Sequence, residues 1–221
     1  MQRAQIQTQL LEACRRLAGK GLLHTAADSF SMRIPASLEM IVASGNADWS
    51  RITATDLREV SLLSKERVDG IHTSIYRMRG DVGAVAITSP RGVRLLAGCG
   101  GMLPPVFDEQ VRHIGLPVGP LDYVQSADAE ALRKTFARGA NASLLGGQLL
   151  CLGMTCERVL LNTELYEKCA RAYVIAKASG RRIGAIPLWV RLIANQRLMK
   201  DERRAEASYR SGRIPEGINS Y

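Results

Sequence analysis

The chain has 221 residues, 46% of them hydrophobic and spread along its length, which suits one domain that buries roughly 70% of its unfolded surface. No apolar run reaches the roughly 20 residues of a membrane span, and no compact apolar block of an export signal opens the chain, so a soluble cytoplasmic protein is expected. The net charge is +9, but six of those charges fall between Arg181 and Arg213, where nine Lys or Arg residues stand against Asp201, Glu202 and Glu206, so the rest of the chain is nearly balanced and gives no argument for a polyanionic partner.

In chain order, Ile6, Leu10, Leu11, Cys14 and Leu17 recur at helical spacing and predict a helix over residues 3–19, stopped near Gly19 and Gly21. An irregular polar segment follows, then a strand at 39–43 that leaves through the turn Ser44-Gly45-Asn46. Thr53-Ala54-Thr55-Asp56-Leu57 carries the cap signature of a short helical turn. Residues 70–79 read as a helix with Ile71, Ile75 and Met78 on one face, and 81–88 as a strand buried on both faces. CGGMLPP is a loop, and a helix is expected at 127–138, a strand at 148–152 and a long helix at 156–178 with Val159, Leu160, Leu165, Cys169, Ala172, Tyr173 and Ala176 inward. Helices interleaved with strands make an α/β domain over residues 1–179. The basic tail, 180–221, is expected to pack on that domain or on a neighbouring subunit, helical through Leu198 and solvent-exposed beyond it. Cys14, Cys99, Cys151, Cys156 and Cys169 are odd in number and lack C-x-x-C spacing, which argues for reduced thiols over a disulfide framework or a zinc knuckle.

The run His72-x-x-Ile75-Tyr76-x-x-Arg79-x-Asp81-Val82-x-Ala84-Val85, with Ser31-Met32-Arg33, Ser44-Gly45, Leu103-Pro104-Pro105 and Glu167-x-x-Ala170 in the same order, resembles the class II aldolase and adducin family, on its fuculose-phosphate aldolase-like side. The resemblance spans about residues 3–178. It implies a three-layer α/β/α fold with a mainly antiparallel central sheet, assembled as a homotetramer with sites between subunits. It also implies a divalent metal, held by an H-x-H pair on the strand and a third His before a glycine, with a Glu as acid or base; such a metal polarises a carbonyl.

Against that resemblance the chain carries Ile87 and Ser89 at the H-x-H positions, Gly147 at the third, Val68 at the acid, Asp28-Ser29 at a phosphate-binding Gly-Asn and Glu66-Arg67 at a pair of serines. Ser44-Gly45 is what remains of the implied phosphate pocket. The three histidines, His24, His72 and His113, have no close pair; His72 reads as a packed or hydrogen-bonded residue, His113 as a surface or subunit contact, and Cys151 and Cys156 as core. No metal and no cofactor are therefore expected. One reading is a pseudoenzyme of this family that has lost zinc-dependent aldol cleavage and keeps a pocket for a sugar phosphate or a hydroxy or keto acid, lined by Asp28, Ser29, Ser44, Gly45, Glu66, Arg67 and Ser89. Another is an active lyase or isomerase with a rearranged cleft, Arg67 clamping an anion and Glu66 acting as base. A third is a scaffold or nucleic-acid-associated module using the basic tail, whose stacking aromatics are limited to Trp189 and Tyr209.

Overall fold

The computed structural model describes residues 2–46, 48–63, 70–122 and 128–216. Helix α1 (Gln2–Gly19) is followed by strands β1 (Ser29–Arg33), β2 (Glu39–Ser44) and β3 (Leu57–Ser61), helix α2 (Gly70–Met78) and strand β4 (Ala84–Thr88). Then come α3 (Arg91–Ala97), α4 (Asp108–His113), α5 (Ala129–Thr135), β5 (Ala142–Leu145), β6 (Gln148–Gly153), α6 (Cys156–Ala178) and α7 (Leu188–Arg210). The strands form one sheet in the order β3-β2-β1-β4-β6-β5, every neighbouring pair antiparallel.

Side chains two residues apart on a strand face the same side, and that alternation builds two cores. Phe30, Met32, Ile41, Ala43, Ala84, Ala86, Leu149 and Cys151 point to the face covered by α1, α3 and α6, where Ile6, Leu10, Cys14 and Leu17 of α1 are fully buried. Met40, Val42, Val85, Ile87, Leu150 and Leu152 point to the opposite face, against Ile75 and Tyr76 of α2 and Leu132 and Phe136 around α5. The result is a three-layer α/β/α fold in which β4 is buried along its whole length.

The sequence-based expectations differ from the structure in a few places. The segment read as irregular contains β1, whose inward side chains on one face are Ser29 and Ser31 rather than apolar groups, so the usual apolar alternation is missing there. Ala54–Asp56 is a 3₁₀ turn with Thr53 at its N-cap, whose backbone N–H and hydroxyl donate to Asp56 Oδ2, but it leads straight into β3. The buried strand begins at Ala84; Asp81 precedes it, bound to Arg79. Ala172 of α6 is exposed.

The tail is also different from expectation beyond Leu198. Helix α7 continues to Arg210, with Glu202, Ala205 and Tyr209 buried. The reason is a polar network: the Arg79 guanidinium donates to both carboxylate oxygens of Asp81 (2.8 and 2.7 Å), to Asn141 Oδ1 and to three backbone carbonyls, and lies 3.0 Å from Glu202 Oε1. Glu202 further accepts from the backbone N–H of Gly139 and from Asn141 Nδ2, and Tyr209 donates to the carbonyl of Met154.

Candidate functional site

The strand register sets the site. Ser29 of β1 stands opposite Ser44 of β2 on one side and Ile87 of β4 on the other, so the three side chains form a row across the α2 face at one end of the sheet. A cleft of about 460 Å³ opens over that row, with Asp28, Gly45, Arg58, Ile71, His72 and Gln148 completing its walls. Of the residues singled out from the sequence, Asp28, Ser29, Ser44 and Gly45 line it, and Ser89 lies at its edge, bonded to Asp28 and Gln148. Glu66 and Arg67, with Val68, lie outside the described residues. A second cleft, about 440 Å³, opens beside α1 with Arg16, Arg33, Glu12 and Glu157 in its lining, but the Arg16 guanidinium is already paired with Glu157 and Glu164.

At the position where the resemblance puts a metal, the side chains present do not fit one. Ile87 offers no donor atom. Ser89 Oγ donates to Asp28 Oδ1 at 2.6 Å, and Gln148 Nε2 donates to the same oxygen (3.2 Å) and to Ser89 Oγ (3.0 Å). The other oxygen of Asp28 accepts from the backbone N–H groups of His24 and Thr25, both at 2.8 Å. The carboxylate thus holds a turn together and ties it to β4 and β6, its oxygens taken up by four donors. The residue facing Ser89 is Gln148 and not Gly147, which sits one residue earlier in the β5–β6 turn with φ +88° and no side chain to present. A divalent ion needs several N, O or S lone pairs converging on one point; among the described residues no group of three or more His, Cys, Asp or Glu side chains is so placed.

The side of the cleft beside Arg58 is better supplied with donors for an anion. Arg58, on β3 beside β2, donates through Nη2 to Ser44 Oγ at 2.8 Å, which leaves the Ser44 hydroxyl proton free to be given to a ligand. Gly45 follows with φ +76°, a left-handed conformation that a side chain would strain. On the other flank His72 is wholly buried between two hydroxyls: Ser29 Oγ is 2.8 Å from Nε2 and Ser31 Oγ 2.7 Å from Nδ1, while Ser31 Oγ also lies 2.8 Å from the Tyr76 hydroxyl. Burial pushes the imidazole down from its ordinary 6.5 to about 4, so it is neutral at pH 7. His24 is exposed, and His113 sits beside Arg158 and does not line the cleft. The thiols of Cys151, Cys156 and Cys169 are pushed up to about 12 by burial, which removes them as nucleophiles.

Sequence reasoning does not find Arg58, His72 and Gln148 as members of the cleft. A signal for His72 is nevertheless present: Ser29 and Ser31 at i, i+2 share a strand face, and His72 and Tyr76 at i, i+4 share a helix face, two polar pairs that can meet only if strand and helix pack.

Residues 8–174 match the class II aldolase and adducin N-terminal domain. The chain belongs to that family. Among solved structures it is similar to L-fuculose-1-phosphate aldolase from Thermus thermophilus, at 23% identity and a TM-score of 0.65, covering 80% of this chain and 98% of that one. It is also similar to a putative aldolase/epimerase/decarboxylase from Klebsiella pneumoniae, at 20% identity and a TM-score of 0.74, covering 88% and 99%, and to an L-fuculose 1-phosphate aldolase from Glaciozyma antarctica, at 18% and 0.73, covering 95% and 88%. At these identities the likeness speaks for the fold. No curated protein sequence matches the chain significantly.

Proposed function

We propose that this member of the class II aldolase family binds a small anionic ligand, a sugar phosphate or a hydroxy or keto acid, in the cleft over Ser29, Ser44 and Ile87, and does so without zinc-dependent aldol cleavage. The observation that carries the reading is the contrast between the two ends of one row. The polar atoms around Ser89 are consumed by the Asp28–Gln148 cluster, while the Ser44 hydroxyl, which accepts from the Arg58 guanidinium, presents its proton at an open cleft beside that positive charge. Charge-assisted hydrogen bonds from such donors suit a carboxylate or phosphate. Loss of the three imidazoles and of the acid, at whose position Val68 stands, removes Lewis acidity and proton transfer together, so the fold serves recognition here. We also propose that the chain works as a homo-oligomer, a tetramer by resemblance.

The test is thermal stabilisation of the protein in chelator by a panel of sugar phosphates, hydroxy acids and keto acids, since a ligand of the folded state stabilises by mass action. At least one member is expected to raise Tm, and Arg58→Ala together with Ser44→Ala to abolish the shift. Zinc-dependent cleavage of a panel member by the wild-type protein would overturn the proposal, as would a shift that survives both substitutions.

A further inference from the structure

Four amphoteric groups form an unbroken chain from the core to the cleft: the Tyr76 hydroxyl, Ser31 Oγ, the His72 ring and Ser29 Oγ, spaced 2.8, 2.7 and 2.8 Å apart. We propose that Tyr76 and Ser31, acting through His72, fix Ser29 as a hydrogen-bond donor toward an oxygen of the bound anion, with His72 held as the Nε2–H tautomer. This deepens the proposed function and rests on the same cleft.

The direction follows from counting protons. Each of the four groups carries one, and three hydrogen bonds link them, so one proton must point elsewhere. Tyr76 and Ser31 are 2% and 0% exposed, and among the described residues neither hydroxyl has a hydrogen-bond partner outside this relay. If Ser29 donated to Nε2, the ring would carry its proton on Nδ1 and give it to Ser31. Either the Tyr76 or the Ser31 proton would then be left in the core without an acceptor, which native structures avoid. The opposite polarity has no such orphan: Tyr76 donates to Ser31, Ser31 donates to bare Nδ1, and Nε2–H donates to Ser29. The one proton left over is that of Ser29, and Ser29 lines the cleft. Both arrangements contain the same atoms and the same charge, so the choice between them needs no proton from outside. An imidazolium would satisfy Ser29 equally, but complete burial disfavours it.

The consequence reaches across the sheet. Ser29 and Ser44 are direct register partners, and each accepts from a donor behind it, His72 in one case and Arg58 in the other. Both hydroxyl protons are thereby turned toward one space, which favours an acceptor oxygen and disfavours an ammonium or other donor there. Ser29 is the contact; His72, Ser31 and Tyr76 are positioning residues.

The experiment is a long-range proton–nitrogen correlation spectrum of protein labelled with ¹⁵N-histidine at pH 7, with His72→Gln assigning one of the three ring systems. A protonated Nε2 and a bare Nδ1 at His72 are expected; an Nδ1–H tautomer or an imidazolium overturns the proposal. Titration with inorganic phosphate adds a second reading. Gln keeps an N–H that can donate to Ser29 and should retain affinity within about threefold, whereas His72→Leu should lose about tenfold or more, the scale of one charged-ligand hydrogen bond. Equal loss in both variants would count against the relay. Absence of phosphate binding by the wild type alongside an Nε2–H tautomer would overturn the anion site and leave the polarity of the chain standing.

Discussion

His72 couples the site to the stability of the fold. Its imidazole is pushed from 6.5 to about 4 in the folded protein, so between those values the unfolded chain binds the extra proton and the folded chain does not. Stability from this group is therefore full above about pH 6.5 and is lost as pH falls toward 4, a total of about 3 kcal/mol by linkage. Urea denaturation between pH 4 and 7 should show that decline, and His72→Gln should flatten it; an unchanged slope in the variant would refute the assignment. The residue scale is only partly readable in the sequence. Ile87 and Ser89 can be placed on one face from it because strand alternation is a local rule, whereas Ser29 and Ser44 are singled out there by the resemblance alone. Arg58 and Gln148 cannot be placed, because each reaches the cleft through a neighbouring strand whose register no local pattern reveals. Gln148 in particular stands one residue beyond the position the resemblance suggests, a step that on a strand moves a side chain to the other face.

At the element scale α7 is the part of the fold that depends most on polar contacts. Its carboxylate Glu202, fully buried, faces Arg79 and closes a network with Asn141 and the Gly139 backbone. Burial, opposed by Arg79 and reinforced by the charge of Asp81, leaves the Glu202 carboxyl above its ordinary range. Glu202→Ala should cost about 3 kcal/mol, since it strips a buried cation of one of its two carboxylates, and Tyr209→Phe about 1 kcal/mol through the lost bond to Met154. Denaturation midpoints with an unchanged m-value are the check; a Glu202→Ala variant as stable as wild type would mean the helix is held by its apolar contacts alone. Helices α1, α2 and α6 and strands β2, β4 and β6 are legible because their apolar residues keep period. Strand β1 is hidden by Ser29 and Ser31, polar where a core strand should be apolar. The end of α7 is hidden because the groups that bury it, Arg79 and Asp81, lie more than a hundred residues away in the sequence.

For the whole molecule, two surfaces matter. The first turns of α7 present Leu188, Trp189, Leu192 and Ile193, with Trp189 67% exposed, an apolar patch of the kind that marks an interface. Light scattering at micromolar concentration should report an oligomer, and Trp189→Lys with Leu192→Lys should shift it toward monomer; a monomeric wild type would contradict this. The exposed basic residues of the tail, Arg181, Arg182, Arg203 and Arg204 among them, predict at most weak, steeply salt-dependent nucleic-acid binding, as phosphate contacts alone give, and sequence-selective binding that survives raised salt would favour the scaffold reading instead. A hydrogen-bonded cluster of Asp28, Ser89 and Gln148 stands where the family resemblance places a metal. The test is calorimetric zinc titration of chelator-treated protein, wild type beside the Ile87→His, Ser89→His, Gln148→His variant. No tight site is expected in the wild type and a newly gained one in the variant, accompanied by zinc-dependent stabilisation; about one tightly held zinc per wild-type chain, or a folded variant with no gain in affinity, would show that the cluster does not stand in a metal's place.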